Sequence, residues 1–302
     1  MDASTLSDQQ IGRTIQLYLV DGNPDGLVIA SLYGWTGSII VARNATLPQL
    51  LKRPEAKRTG VYLLYGPDPE DDLKGRAYIG EADAIDERLP RSAGERGFWE
   101  LAAIITTSDE SLTKAHVRYL EAELLRLTKQ AGRVTLDNSQ TPDTERRHLP
   151  EADKANMFGF LKNIETILPV VGFDLLKPRA RAKTRASKSQ PTFVIEQKSG
   201  VTASMIEVEG EYLVKKGSLA TKDAGYAHNS SYGTLRQNLI EKGRLVVDGE
   251  FYRFADDTSF KSPSAAAAVV LDRSSNGRYE WKLKGTKRTY DDWQKERSEA
   301  ET

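Results

Sequence analysis

The chain has 302 residues, and at about 150 residues per domain this length predicts two domains. Its 43 basic and 43 acidic side chains give a net charge of zero, which excludes a strongly basic protein but allows local basic patches. The absence of cysteine excludes disulfides, thiolate metal sites and a cysteine nucleophile. Carboxylates and three histidines are left as candidate metal ligands, which favours a hard cation.

The sequence offers no segment suited to a membrane helix. Its longest apolar run, Ala265 to Leu271, is much shorter than the roughly 20 residues that span a bilayer. The first residues include Asp2, Asp8 and Arg13 and lack the basic start and apolar stretch of a secretory signal. We therefore expect a cytoplasmic protein.

In the first half of the chain, short β-prone runs are separated by turn signals rich in Gly, Asn and Asp. The acidic stretch 66–75 is predicted to be a long, flexible connection between two strands. The predicted elements are strands at 14–20, 27–32, 59–65, 76–80 and 101–107 and a short helix at 83–89.

A longer helix is predicted from Leu112 to Ala131, because apolar residues recur there at spacings of three and four. Gly132 stands where a C-cap is expected. Glu121 lies about 60° from the middle of the apolar stripe, so its side chain is expected to be half-buried. The simplest interpretation is a rim glutamate whose aliphatic stem covers the core.

The clearest change in composition is at 177–190, which has six basic residues and no acidic residue. This stretch is predicted to be a solvated linker, and its charge could also hold a nucleic-acid backbone. Its candidate phosphate contacts are Lys177, Arg179, Arg181, Lys183 and Arg185.

The region after the linker is predicted to be a smaller α+β domain that ends in a fraying charged tail. Glu209-Gly210 and Asp248-Gly249 are hairpin signals, and Ser262-Pro263 predicts a capped helix start. The predicted elements are strands at 192–195, 204–208, 211–216, 245–247 and 251–254 and helices at 232–241 and 263–271.

Two tripeptides, Gly60-Val61-Tyr62 and Tyr78-Ile79-Gly80, stand at predicted strand ends and are followed by Arg88, Glu121 and Asn138. This order and spacing resemble the GIY-YIG nuclease family from Gly60 to Pro142. The resemblance implies a small mixed sheet flanked by helices, within an α+β fold. It also implies Mg²⁺-dependent or Mn²⁺-dependent hydrolysis of DNA phosphodiester bonds, on double or single strands.

Each of the five residues then has an expected role. Glu121 would bind one metal ion, and Arg88 would stabilise charge on the phosphate. One of Tyr62 and Tyr78 would be the general base and the other would position water or phosphate; the sequence leaves open which is which. Asn138 would fix local geometry or reach the phosphate, and a simple Asx turn is the alternative.

Several further positions bear on this expectation. Many family members carry lysine where this chain has Glu81, and often His or Tyr where it has Ser92, which weakens the expectation of activity. His116 is a secondary candidate for proton transfer, and a structural histidine is the alternative. Phe98-Trp99 could stack on a base, although core packing is favoured for such aromatic residues.

The C-terminal region has a second resemblance, carried by Ser262-Pro263-Ser264-Ala265-Ala266 and by Asn276-Gly277 with Trp281. These elements resemble an uncharacterised domain often fused to GIY-YIG nucleases and the RAMA domain of restriction and adenine-methylase systems. The resemblance implies DNA binding or sensing of modified bases. For Ser262 and Trp281 themselves, an N-cap and a core residue are the favoured interpretations. The basic residues that could contact DNA are Arg236, Lys242, Arg244, Arg253, Lys261 and Arg273.

The expectation is a two-domain, Mg²⁺-dependent DNA endonuclease. The alternatives are a DNA-binding or regulatory protein on an inactive nuclease fold, and an RNA-processing enzyme. The predicted organisation is a β-rich extension packing on the nuclease at 1–57, the nuclease domain at 58–176, the linker at 177–190, the C-terminal domain at 191–294 and the tail at 295–302.

Overall fold

The structure is a computed structural model, and it describes residues 12–139, 149–177, 191–208, 210–222 and 231–300. The chain forms two units, Met1–Pro178 and Arg179–Thr302. The division falls inside the basic segment predicted to be a linker. Both units mix helices with sheets, so the fold is α+β, as predicted.

Unit 1 is built on one seven-stranded sheet with helices on both faces. Its strands are β1 (Ile15–Leu19), β2 (Val28–Leu32), β3 (Gly37–Arg43), β4 (Gly60–Asp68), β5 (Asp71–Ala82), β6 (Leu101–Thr107) and β7 (Val134–Leu136). Its α-helices are α1 (Leu47–Leu51), α2 (Ile85–Gly94), α3 (Lys114–Ala131) and α4 (Glu151–Ile167).

The strand order is β1-β2-β3-β6-β4-β5-β7, and every pair is antiparallel except the parallel pair β5 and β7. The region before residue 58 thus supplies three strands of the same sheet, because β3 pairs with β6 along its whole length. There is no break in the sheet at the boundary predicted between the extension and the nuclease domain.

Strand β4, which lies between β6 and β5, is buried on both faces, and its side chains alternate between two cores. Val61 and Leu63 join a core with α3 and α4, whereas Tyr62 and Leu64 join a core with α2. A strand covered on both faces is rich in apolar residues without polar alternation. This packing fixes which side of the sheet each motif residue faces.

The connection between β4 and β5 differs from the expectation of a long flexible stretch. β4 continues to Asp68 and β5 begins at Asp71, so the two strands pair almost to the turn. Asp68 is buried and accepts hydrogen bonds from Arg76 and Thr135. These bonds to a charged group stabilise the hairpin where acidic composition suggested a loop.

The two helices next to the hairpin differ in how well their bounds were predicted. α3 ends at Gly132, which adopts φ 64 as a left-handed C-cap, as predicted. α2 begins at Ile85 and continues through Pro90 to Gly94, five residues beyond the predicted end at Leu89. Buried Ile85, Leu89 and Ala93 recur at a spacing of four and hold this helix on the sheet.

The described residues of unit 2 form a five-stranded sheet in the order β14-β10-β9-β8-β15, a three-stranded sheet in the order β11-β13-β12, and four helices. Its strands are β8 (Thr192–Glu196), β9 (Thr202–Val208), β10 (Glu211–Val214), β11 (Leu219–Thr221), β12 (Leu245–Asp248), β13 (Phe251–Phe254), β14 (Thr258–Phe260) and β15 (Lys282–Leu283). Its helices are α5 (Ser231–Glu241), α6 (Pro263–Leu271), α7 (Gly277–Glu280) and α8 (Tyr290–Ala300).

Within the described residues, the charged tail predicted from Lys295 onward is part of α8, which continues to Ala300. Tyr290 and Trp293 in the first turns of α8 pack against Phe193 in an aromatic cluster. Glu209, half of a predicted hairpin signal, lies outside the described residues, and its neighbour Gly210 has φ 81. Among the helices of the described ranges, none is long and apolar enough to cross a membrane.

Candidate active site

A polar cleft of about 580 Å³ opens at the edge of β5, between α2 and α3. β7 covers only Gly75–Ala77 of this edge, so the end of β5 is left for the cleft. Four of the five residues singled out from the sequence are among its lining. The lining residues are Tyr62, Tyr78, Gly80, Glu81, Ala82, Asp83, Ala84, Glu87, Arg88, Arg91, Lys114 and Glu121.

The two motif glycines are required by close packing rather than by unusual backbone angles. Tyr62 stands directly opposite Gly80 in the β4–β5 pair. A Cβ atom on Gly80 would lie 2.5 Å from the Tyr62 hydroxyl oxygen, and one on Gly60 would lie 2.4 Å from the Ile105 carbonyl oxygen. Glycine at both positions therefore lets the Tyr62 ring lie flat across β5 and lets β4 pack against β6.

Tyr62 forms the floor of the cleft and is fully buried. Its hydroxyl is 2.9 Å from Ser92 Oγ on α2, in a hydrogen bond that either group can donate. Burial raises the pKa of Tyr62 to about 12, although the hydrogen bond with Ser92 and the charge of Arg88 lower it in part. Tyr62 in turn raises the pKa of Arg88. Tyr62 is therefore a neutral phenol at pH 7.

Tyr78 is half-buried, and its ring centroid lies 6.1 Å from that of Tyr62. The guanidinium carbon of Arg96 lies 3.6 Å from the Tyr78 ring centroid, a cation–π contact. Arg96 is held by Asp137 at 2.8 Å and by the Ser92 carbonyl oxygen at 3.0 Å. The ion pair of Arg96 and Asp137 therefore holds the Tyr78 ring in place. Arg96 and Asp137 belong to no recognisable sequence motif, so they were not predicted as site residues.

Glu121 lies on the cleft side of α3 and is half-buried, as its helical position predicted. Within the described ranges, no cluster of three or more His, Asp or Glu side chains could hold a metal ion. The donor set therefore does not fit an all-protein cage. A single carboxylate in an open polar cleft does fit Mg²⁺, which keeps several waters and takes phosphate oxygens as further ligands.

Asn138 is the one motif residue that does not line the cleft. Its side-chain oxygen accepts from the Ile79 N–H at 3.1 Å, and its amide nitrogen donates to the Ile79 carbonyl oxygen at 2.8 Å. The side chain thus replaces a strand neighbour just beyond the end of β7. Asn138 therefore fixes the backbone between Tyr78 and Gly80.

Glu81 faces two basic side chains of α3 across the cleft. Its Oε2 accepts from Lys114 Nζ at 2.7 Å, and its Oε1 lies 3.6 Å from Arg118 Nε. Lys114 Nζ is also 3.1 Å from Asp83 Oδ2. The position where the resemblance led us to expect lysine is therefore acidic, and it is paired with an ammonium group from α3 that no sequence motif indicated.

The remaining candidates of unit 1 lie away from the cleft. His116 Nδ1 accepts from the Thr113 N–H at 3.2 Å in a capping box at the start of α3, and its Nε2 lies 3.8 Å from Asp153. Phe98 and Trp99 are buried in the core beneath α2, which excludes the interpretation as an exposed stacking platform. His116 therefore has a structural contact and does not line the cleft.

The basic segment is described only at its first residue. The Lys177 carbonyl oxygen accepts from Arg133 Nε at 2.8 Å, which anchors the end of unit 1. The other four candidate phosphate contacts, Arg179, Arg181, Lys183 and Arg185, lie outside the described residues.

In unit 2, the second motif forms a structural junction between α6 and α7. Ser262 accepts from the Ala265 N–H at 3.1 Å as an N-cap, and buried Trp281 donates to the Pro263 carbonyl oxygen at 3.0 Å. Ser264 Oγ accepts from the Gly277 N–H at 3.1 Å. A Cβ on Gly277 would lie 2.0 Å from the Pro263 oxygen, so only glycine fits. The interpretations of Ser262 as a cap and Trp281 as core are confirmed.

The basic candidates of unit 2 are not equivalent. Arg236 is buried, donates to the carbonyl oxygens of Val269 and Thr221, and lies 3.2 Å from Asp272 Oδ1. It therefore holds α5 to α6 and is not a surface contact for DNA. Arg253 and Arg273 pair with acidic neighbours, whereas Lys242 and Lys261 are exposed and Arg244 is half-buried.

Comparison with known proteins bears on unit 2 alone. Residues 193–294 match the family described as "Domain of unknown function (DUF4357)", which agrees with the expectation of an uncharacterised C-terminal domain. No curated protein and no solved structure matches the chain. The region 193–294 is thus similar to a domain family without an assigned function.

Proposed function

We propose that the protein is a metal-dependent endonuclease of the GIY-YIG kind, with its active site in the cleft between α2 and α3. The observation that carries the proposal is the convergence of Tyr62, Tyr78, Arg88 and Glu121 on that one cleft. These residues come from two strands and two helices. Side chains this far apart in sequence are brought together by the β4–β5 hairpin and by the packing of both helices on it.

The residue types fit hydrolysis of a phosphodiester. Water attacks phosphorus and gives its proton to a base, the bond from phosphorus to the leaving oxygen breaks, and that oxygen takes a proton from solvent. A tyrosine acts as this base in its phenolate form. Arg88 is exposed at the cleft and donates two hydrogen bonds to phosphate oxygens, which stabilises the charge that develops there. Glu121 would hold the metal ion, which would act as a Lewis acid on a phosphate oxygen.

The surroundings of the two tyrosines favour Tyr78 as the base. The Tyr62 hydroxyl is fully buried, is bonded to Ser92 and has a pKa of about 12. Such a group gives up its proton less readily than an ordinary tyrosine with a pKa near 10. Tyr78 is half-buried in the same cleft and has its ring fixed by Arg96. Tyr62 then positions Arg88 and the phosphate.

The deciding experiment compares Glu121→Gln with Glu123→Gln on supercoiled plasmid and on single-stranded DNA, with Mg²⁺ and with Mn²⁺. Glu123 is the matched control because it lies on the same helix and pairs with Arg126 instead of lining the cleft. Loss of several kcal/mol of charge stabilisation predicts that Glu121→Gln cuts about 100-fold or more slowly. Glu123→Gln should cut at the wild-type rate.

The same experiment separates the alternatives. Equal cutting by both variants, or no cutting by the wild-type protein with either metal, contradicts the proposal. Tight DNA binding without cutting indicates a DNA-binding protein on a nuclease fold. An RNA substrate panel run in parallel identifies an RNA-processing enzyme, which would use the same chemistry.

A further inference from the structure

The first residue of α3 places an ammonium group at the mouth of the cleft. Thr113 caps the helix, so Lys114 stands at its first position, and its Nζ lies 2.7 Å from Glu81 Oε2 and 3.1 Å from Asp83 Oδ2. The Lys114 side chain is 38% exposed and Glu81 is 15% exposed. The carboxylate is therefore the more buried partner, and the ammonium faces the opening.

Lys114 stays charged and keeps a donor for a ligand. Burial alone would lower its pKa, but hydrogen bonds to Glu81 and Asp83 raise it overall. An ammonium group has three N–H donors. Within the part of the chain that the structure describes, Glu81 and Asp83 take two of them. One donor thus remains for an oxygen atom in the cleft.

Helix geometry aligns Lys114 with the proposed metal ligand. Glu121 is seven residues further along α3, which places the two residues about 20° apart around the helix and about 10 Å apart along it. Both line the cleft, together with Arg88 and Arg91 of α2 on the other wall. A chain of phosphates crossing the cleft would therefore meet Arg88 and Arg91 on α2 and Lys114 on α3.

We propose that Lys114 is a phosphate-binding residue of the cleft and that Glu81 holds its ammonium in place and competes with the phosphate for it. The ligand is the sugar-phosphate backbone of a nucleic acid, bound at a phosphate beside the one at Glu121. This inference rests on the proposed function, because that function supplies the nucleic-acid ligand.

The test uses the full-length protein with Lys114→Gln, Glu81→Gln and the double variant, with Lys129→Gln as control. Lys129 is an exposed lysine in the last turn of the same helix. The readouts are the affinity for a DNA duplex over a range of salt concentrations, and kcat and KM for cutting. Thermal unfolding of each variant reports whether the fold is intact.

Substitution of Lys114 and substitution of Glu81 are expected to change the affinity for DNA in opposite directions. Lys114→Gln should weaken DNA binding, raise KM about tenfold and reduce the slope of log affinity against log salt by about 0.9, the value for one phosphate contact. Glu81→Gln should tighten binding several-fold, and the double variant should lose that gain. Lys129→Gln should leave the slope unchanged, and Lys114→Arg should restore it.

The outcomes separate this inference from the proposed function. If the wild-type protein cuts DNA while Lys114→Gln leaves the slope and KM unchanged, the inference is wrong and the nuclease proposal stands. If both single substitutions weaken binding equally, the pair only supports the fold, and the inference is again wrong. If the wild-type protein does not cut but Lys114→Gln still reduces the slope, the nuclease proposal fails and phosphate binding is supported.

Discussion

Tyr62 and Tyr78 lie on one hairpin and share one cleft, yet their surroundings make them chemically different. Tyr62 points into the core beneath α2, where Ser92 bonds its hydroxyl. Tyr78 lies at the cleft wall, with Arg96 against its ring. Loss of a proton from Tyr62 would leave a buried phenolate, and burial disfavours the charged form. The difference in burial is therefore a difference in suitability as a base.

We expect Tyr78→Phe to reduce kcat about 100-fold or more, the usual contribution of a general base. Tyr62→Phe should reduce it less, because the ring and its packing are kept and the hydroxyl that is lost bonds Ser92 and positions Arg88 without serving as the base. Single-turnover cutting rates at several pH values check this ordering. Tyr119→Phe is the control, since Tyr119 is a partly buried tyrosine of α3 that packs on the opposite core. A larger loss for Tyr62→Phe would assign the base to Tyr62.

For single residues, the sequence predicts the motif residues of the cleft better than it predicts the residues that contact them and fix their positions. The order of Tyr62, Tyr78, Arg88 and Glu121 indicated one site, and all four line one cleft. Lys114 carries no such signal, because its contact with Glu81 depends on how α3 crosses the sheet. Partners of this kind follow from packing between elements rather than from local spacing.

The β4–β5 hairpin is the element on which the cleft depends. Its strands pair from Gly60 with Ala82 down to the turn, and the side chain of Asn138 continues the pairing at the outer edge of β5. The Tyr62 ring lies across Gly80 with no room for a Cβ atom. Because the ring is fully buried, it cannot move aside without disturbing the core under α2.

We expect Gly80→Ala to lower the free energy of unfolding of unit 1 by about 1–3 kcal/mol, the usual cost of overpacking. Cutting should fall as well, because Tyr62 is displaced from Arg88. Gly94→Ala is the control, since a Cβ at this helical position meets nothing within 4 Å and alanine favours a helix. Urea unfolding and cutting rates of both variants check the prediction. Unchanged stability of Gly80→Ala would show that the ring is free to move.

Elements with a strong local pattern were predicted well, and those fixed by long-range packing were not. α3 has a regular apolar stripe and a glycine C-cap, and β6 was predicted at its observed bounds. β3 and α4 were not predicted. β3 is buried only because it lies between β2 and β6, and α4 contributes to a core shared with the sheet. The length of the β4–β5 hairpin was missed because ion pairs, which composition does not reveal, stabilise its acidic end through Arg76 with Asp68 and Lys74 with Asp71.

On the scale of the whole molecule, zero net charge is an average over segments with different roles. The cleft is lined by charges of both signs: Glu81 and Glu121 are negative, and Arg88, Arg91 and Lys114 are positive. The segment 177–190 has only basic charges, and the division between the two units falls within it. In unit 2, buried Arg236 of α5 donates to the Val269 carbonyl oxygen of α6 and pairs with Asp272. Neutral composition is therefore compatible with local binding of phosphates.

The basic segment 177–190 is predicted to contribute to DNA binding by the whole molecule. Replacing Lys177, Arg179, Arg181, Lys183 and Arg185 with glutamine should reduce the slope of log DNA affinity against log salt by as much as about four, at about 0.9 per phosphate contact. KM should rise, whereas kcat should stay unchanged because the substitutions leave Tyr62, Tyr78, Arg88 and Glu121, which line the cleft, in place. Replacing the three arginines, Arg179, Arg181 and Arg185, with lysine keeps the charge and should leave the slope unchanged. Binding titrations and cutting rates at several salt concentrations measure both effects, and an unchanged slope in the glutamine variant would show that the segment is only a spacer.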